Sequence, residues 1–206
     1  MLHAEFEGVK EIYNTNTIKV PTPICFGTTD YGAFIILEKL NFGGYGDGEQ
    51  YAKKLASMHK SQSSTFKYGF RLNNTIGATL QPNNECDSWP EFWDKYRLGH
   101  MLDLCKREGA DFGKKESQLR DKVASILEKH NTVPSLVHGD LWSGNQATLS
   151  NGEPVIFDPA VIIIIIIIII IIIIIIIIII IIIIIIIIII IIIIRYTMEI
   201  PKLTSQ

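Results

Sequence analysis

Residues Leu136–Asn145 read LVHGDLWSGN, and a short way on Val155–Pro159 reads VIFDP. Asp140 stands five positions before Asn145, and a second aspartate, Asp158, closes a short apolar run. Phosphoryl transfer needs a carboxylate to orient and deprotonate the acceptor hydroxyl, and oxygen ligands to hold Mg²⁺ against nucleotide phosphates. Loops that perform it place the base first, an asparagine five residues later, and a metal-binding aspartate on the next hairpin. Asp140, Asn145 and Asp158 fall in that order. HGD or DP alone would say little; HGDxxxxN followed by an apolar strand ending in Asp is specific. The bland alternative is a turn in which Asp140 and Asn145 only satisfy backbone groups. His138, beside apolar residues, is expected to prop the loop through a backbone hydrogen bond rather than to touch substrate.

The rest of the chain supplies a scaffold of mixed type. Phe6, Val9, Ile12 and Tyr13 recur at helical spacing before the polar break Asn14-Thr15-Asn16. VPTPICFG makes an extended entry, and AFIILEKL, Ala33–Leu40, reads as a buried strand by its apolar, β-branched content. NFGGYGDG is a loop. Its glycines are not in GxGxxG or Walker register, and Asp47 and Glu49 would repel phosphate, so it reads as a connector. EQYAKKLASMHK is a helix with Tyr51, Leu55 and Met58 on one face, and Tyr68–Asp87, rich in Asn, Gly and Thr, is expected to be irregular. WPEFWDKYRLGHMLDLCKR and ESQLRDKVASILEKH read as amphipathic helices, the second with Leu119, Val123, Ile126 and Leu127 inward. QATLS and PVIFD form a hairpin about Asn151-Gly152.

One segment distorts the global composition. Ile162–Ile194 is an unbroken run of 33 isoleucines with no cap, turn or charge. Its length would suffice for a membrane span. Natural spans, however, mix residue types and carry aromatic or basic anchors at their ends. The run reads as an artefact or non-functional insertion, and no membrane association is expected. Without it the mean hydropathy of +0.30 falls to roughly −0.5, an ordinary globular value. A net charge of −2 gives no basic field for nucleic acid. Cys25, Cys86 and Cys105 are odd in number and include no CxxC pair, which fits a reducing, cytoplasmic setting. MLHAEFEGVKEI has neither a signal core nor transit-peptide character.

HGDLWSGN with EPVIFDPA resembles the fructosamine kinase family, also called ketosamine or protein-ribulosamine 3-kinases, relatives of the aminoglycoside phosphotransferases. KYGFRLNNTIGATLQPNN followed by DSWPEFWDKYRLGHMLDL is similar to that family's insert and next helix. AEFEGVKEI, IKVPTPICFG and FIILEKL resemble its αC helix, the entry to the following strands and its hinge. The likeness runs from about Ala4 to Ala160. It implies an α+β, protein-kinase-like, two-lobed fold. Residues 1–45 would be the remainder of the N-lobe and 46–161 part of the C-lobe, followed by the isoleucine run, 162–194, and a tail, 195–206.

The resemblance implies ATP and Mg²⁺ as cofactors and a glycated protein or other ketosamine as partner. Asp140 becomes the base for the sugar hydroxyl, and Asn145 and Asp158 become metal ligands. Glu5 becomes the αC glutamate that pairs with a phosphate-binding lysine, with Glu7 the competing position. The backbone of Glu38, Lys39 and Leu40 would hold adenine, the side chain of Glu38 being incidental. Trp142 would pack on the sugar or else fill space under the loop. Phosphorylation at O3 would make the adduct unstable and regenerate the amine, which is protein deglycation. The alternatives are a phosphotransferase for aminoglycoside or choline-type acceptors, and an inactive fragment or pseudokinase.

The family pattern also carries a glycine-rich nucleotide loop and a strand lysine ahead of the Glu5 helix, and helices beyond Ala160. The fold is therefore expected to be incomplete at both ends. Residues 1–206 are accordingly predicted to be inactive and insoluble on expression, since a long uncharged isoleucine run has an aggregation-prone composition. Removing the run should raise the soluble fraction in a sedimentation assay without restoring phosphorylation of a fructosyl-lysine peptide. Adding the family's two flanking parts should restore both. Phosphorylation by residues 1–206 alone would contradict this expectation.

Overall fold

The computed structural model describes residues 1–62, 65–129 and 133–164. Contacts divide the chain after Ile165. The isoleucine run from Ile165 onward and the tail 195–206 lie outside the described residues.

Helix α1, Leu2–Asn14, buries Phe6, Val9 and Ile12 along one stripe. Tyr13, expected on that stripe, is exposed. The helix stops where Thr15 turns back, its hydroxyl and its N–H both donating to the Ile12 carbonyl, and Asn16 then takes a left-handed backbone. Ile18 and Val20 follow into the core. The Lys19 carbonyl accepts from the Ile156 N–H at 3.0 Å, which joins this segment to the strands that carry Asp158.

Strands β1, Pro23–Thr29, and β2, Gly32–Leu37, form an antiparallel hairpin. The second was expected to be buried and is not. Phe34 and Ile36 are 40 % and 46 % exposed. The physical reason is cover: α1 lies along the ribbon, with His3 and Phe6 against Phe26, and among the described residues no second layer closes it.

Glu38, just past β2, does more than its backbone suggests. Its carboxylate accepts from the Lys19 ammonium at 2.5 Å, the Thr22 N–H at 2.9 Å and the Thr22 hydroxyl at 2.6 Å. Whatever the backbone does for adenine, these charge-assisted bonds from an ammonium, a hydroxyl and an amide fasten the end of β2 to the chain entering β1.

Helix α2, Gly48–His59, is capped by Asp47, whose side chain accepts from the Glu49 N–H. It delivers Met58, fully buried, into a core shared by Val9, Ile12, Ile18, Val20, Phe70, Leu136, Ile156 and Val161. The glycine connector before it is closely packed. A side chain at Gly44 would stand 1.9 Å from the Leu149 carbonyl.

The segment expected to be irregular contains a further hairpin, β3, Asn74–Ile76, with β4, Thr79–Gln81. Next come α3, Trp89–Trp93, a π-helical turn, Asp94–Leu98, and α4, Gly99–Arg107. Helix α5, Lys114–Leu127, packs on them along a face rotated from the expected one. Leu119 and Ile126 are exposed, while Leu127 is buried. Arg120 explains the rotation, because it grips Asp94 with two parallel N–H···O bonds of 2.7 Å and draws the 116/120/123/127 face inward.

The remaining strands are β5, Ser135–Val137; β6, Gln146–Thr148; β7, Pro154–Ile156; and β8, Ile162–Ile164. β6 and β7 form the expected hairpin, and β5 pairs antiparallel with β8. The first three isoleucines of the run thus belong to the fold. Among the described residues no helix is long and apolar enough to cross a membrane, and all three cysteines are free thiols.

Hydrogen bonding holds the Glu38 carboxyl far below its ordinary 4.5, at about 2, with Lys19 the largest cause and Thr22 next. A depressed carboxyl contributes stability that is complete above its unfolded value and is lost as pH falls through the folded one. The expected outcome is that Glu38→Gln lowers the melting temperature at pH 7. The difference from the parent should shrink as melts are run from about pH 4.5 toward pH 2.

Candidate active site

β5 ends at Val137 and leads directly into the loop. His138 is buried, and its two ring nitrogens have different work. Nε2 donates to the Phe157 carbonyl at 2.9 Å, and Nδ1 accepts the Asp140 N–H at 3.3 Å. That pairing requires the neutral ring with its proton on Nε2. Burial lowers the imidazole pKa and outweighs the raising influence of the Phe157 carbonyl and of the carboxylates of Asp140 and Asp158. Both of these contacts are with backbone groups.

Gly139 follows with φ +84°, and a Cβ there would meet the Ala160 carbonyl oxygen at 1.9 Å. Only glycine lets the loop press against the segment after Asp158. A single 3₁₀ turn, Ser143–Asn145, then swings Asn145 back beneath Asp140. The Asn145 amide Nδ2 donates to the Asp140 carbonyl at 2.8 Å and approaches the Asp140 carboxylate at 3.3 Å and the Asp158 carbonyl at 3.4 Å. The Asn145 carbonyl accepts from the Phe157 N–H at 3.0 Å. Asn145 thereby links the loop to the hairpin that carries Asp158, itself in a left-handed backbone at φ +55°. With Nδ2 spent on these contacts, Oδ1 is the amide atom left to serve a cation.

Asp140, Asp158 and Glu5 line one cavity of about 230 Å³ together with Met1, Asn74, Thr75, Gly77, Pro159 and Ala160. Sequence spacing alone would not place Glu5 there. α1 does so by laying its first turn beside Pro159, and Gly8 allows the approach, since a Cβ there would sit 3.1 Å from Val161. Glu7 points elsewhere and, with Glu11, pairs with Arg71. The Glu5 carboxyl is raised by burial first and by the charge of Asp158 second. Among the described residues no group of three or more His, Cys, Asp or Glu side chains forms a metal site by itself; the oxygen donors that could contribute to holding a divalent cation are the Asp158 carboxylate, which lines the cavity, and the Asn145 Oδ1.

Other expected site residues stand apart from this cavity. Trp142 is 61 % exposed on the loop and leans over Gly144. Glu38, Lys39 and Leu40 do not line the cavity, and the Glu38 N–H is already taken by the Thr22 carbonyl. The sequence reading missed Asn74 and Thr75. The signal was present in NTIGATL, two β-prone triplets about a glycine, which is the mark of a short hairpin.

Comparison with known proteins adds the following. The family model described as fructosamine kinase matches residues 1–163. The chloroplastic protein-ribulosamine 3-kinase of Oryza sativa subsp. japonica is 43 % identical over 164 residues, covering 78 % of this chain and 48 % of the relative. Its Arabidopsis thaliana namesake is 40 % identical, covering 78 % of this chain and 50 % of the relative. Among solved structures, a protein designated a fructosamine-3-kinase from Haemophilus somnus superposes with a TM-score of 0.69 at 32 % identity, covering 80 % of this chain and 55 % of that one. The chain spans about half the length of the curated relatives it matches.

The steric argument at Gly139 gives a direct test. Gly139→Ala is expected to displace the loop from Ala160 and to lower stability by roughly 2 kcal/mol or more, as overpacking and backbone strain combine. Chemical denaturation measures this. An unchanged midpoint would mean that the loop does not press on Ala160.

Proposed function

The chain belongs to the fructosamine kinase family, and on that footing we propose that its cavity is the catalytic centre of an ATP-dependent ketosamine 3-kinase, within a protein-kinase-like, two-lobed protein. The observation that carries the reading is the convergence of Asp140, Asp158 and Glu5 on one cavity, with Asn145 bonded to both Asp140 and the Asp158 backbone. The acceptor is the sugar of a fructosamine or ribulosamine adduct on a protein amine, and loss of the phosphorylated sugar regenerates the amine.

In this reading Asp140 receives the proton of the sugar O3 hydroxyl as the O3–phosphorus bond forms and the bond from the γ-phosphorus to the ADP oxygen breaks. The Asn145 amide holds the Asp140 carboxylate in position, and neutral His138 fixes the backbone beneath it. Asp158 and Asn145 are the ligands for Mg²⁺, which when bound with ATP neutralises phosphate charge. Glu5, destabilised as an anion by its burial and by Asp158, is set to gain from a cationic partner such as a lysine. The amides of Lys39 and Leu40, together with the Glu38 carbonyl, remain for adenine. Trp142 offers an exposed ring for the sugar or its carrier. Reducing surroundings suit the three free thiols, and the relatives' chloroplastic designation is compatible with them. A panel of ketosamines, aminoglycosides and choline separates this reading from the alternative acceptors.

In the full-length protein, Asp140→Asn should reduce kcat by 10²- to 10⁴-fold, the usual contribution of a general base, with ATP binding retained. Asp158→Ala should in addition shift the Mg²⁺ titration to higher concentration. Near-normal turnover in the first variant, or an unchanged titration in the second, would remove the assigned role.

A further inference from the structure

The cavity has two kinds of wall. Glu5, Asp140 and Asp158 supply carboxylates, while the β3–β4 hairpin supplies Asn74, Thr75 and Gly77, all uncharged. The hairpin is held in place with unusual firmness. Asn74 is buried, and its Nδ2 donates to the Val161 carbonyl at 2.9 Å, three residues beyond Asp158. Its Oδ1 accepts from Gln81 Nε2 and from Asn83 Nδ2, both at 2.9 Å. Asn83, fully buried, is gripped in turn by Arg97 from the π-helical turn at 2.6 Å. The Arg97 guanidinium also donates to the Pro82 carbonyl and lies over the Phe92 ring. The hairpin is therefore tied on one side to the Asp158 segment and on the other to the helical block.

These bonds take up the Asn74 Oδ1 twice and one of its two amide N–H groups. Among the described residues the half-buried Thr75 makes no side-chain hydrogen bond, and it is a lining residue of the cavity that holds Asp140. The three carboxylates can only accept hydrogen bonds when ionised. Thr75 is thus the cavity side chain with both a donor and an acceptor still to offer, which is what a neutral polyhydroxylated molecule requires.

We propose that Thr75 is a specificity-determining contact of the acceptor subsite, hydrogen-bonding a hydroxyl or carbonyl oxygen of the sugar whose neighbouring hydroxyl faces Asp140, with Asn74 as the residue that positions it. This rests on the ketosamine kinase reading above and adds to it the wall against which the sugar lies.

The test uses the full-length protein and two readouts. One is steady-state phosphorylation of fructosyl-lysine. The other is calorimetric binding of a 3-deoxy ketosamine, which lacks the hydroxyl that receives phosphate. Thr75→Val keeps the side-chain shape and removes the hydroxyl; Thr75→Ser keeps the hydroxyl. The expected result is that Thr75→Val raises the KM for fructosyl-lysine and weakens analogue binding about three- to tenfold, the effect of one lost hydrogen bond. The KM for ATP should be unchanged, and Thr75→Ser should restore both values to within about twofold. Unchanged ketosamine KM and binding in Thr75→Val, with an active parent, would overturn the proposal and leave the kinase reading standing. Equal rises in both KM values would overturn it as a general structural effect. A parent that neither phosphorylates nor binds ketosamines would overturn both.

Discussion

The site depends on one imidazole kept neutral. His138 bridges the loop and the end of the hairpin that follows it: its Nε2–H reaches the Phe157 carbonyl and its Nδ1 receives the Asp140 N–H. A protonated ring would present two donors, and the second would oppose the Asp140 N–H. Burial disfavours that form, and it prevails even with two carboxylates nearby that favour it. The loop is thus built on a group whose charge state is set by the core beneath it. Leu136 and Ile156 belong to that core, with Val161 and Met58. Packing at the base and hydrogen bonding above are consecutive parts of one arrangement.

Around this pin, electrostatics work in the opposite direction. Glu5, Asp140 and Asp158 share a small cavity, and the Glu5 carboxyl is already raised by burial and by Asp158. Like charges held together in this way are unfavourable alone and favourable once cations enter. Glu38 is the contrast: its carboxylate has an ammonium and two further donors and sits well below the ordinary value. One acid secures the scaffold with its partners in place, and the other stands buried beside a second carboxylate, with the N-terminal ammonium only partly offsetting that. On the proposed function, that difference separates a structural glutamate from a functional one.

The grouping of the candidate site's residues was more legible in the sequence than the scaffold around it. Asp140, Asn145 and Asp158 were legible because loop chemistry depends on residue type and spacing over a short distance, and the β6–β7 hairpin that joins them is local. Strand β2 was legible as a strand but not in its exposure, because an apolar run reports preference for cover and not whether cover is present. Helix α5 was legible as a helix but not in its orientation, since two hydrogen bonds from Arg120 to Asp94 decided which face turns inward. The Glu38 clamp spans 19 and 16 residues to Lys19 and Thr22, and no periodicity records such a pairing. The β3–β4 hairpin was obscured by its Asn and Gly content, which is what fits it to line a polar cavity.

The isoleucine run shows how neighbours can supply a register that a sequence lacks. A homopolymer has no alternation, so by pattern alone any slip along β5 would be equivalent. The structure nevertheless pairs Val137 with Ile162 and Ser135 with Ile164. The residues just before the run account for it. Gly139 presses on the Ala160 carbonyl, and Asn74 holds the Val161 carbonyl, so Ile162 enters beside Val137 with its position already fixed. Gly69 then exchanges two backbone hydrogen bonds with Ile163, at 3.1 and 2.9 Å, and closes the other edge. The contacts that define the floor of the candidate site therefore also set the register of β8, and they do so before the side chains of the run contribute any specificity of their own.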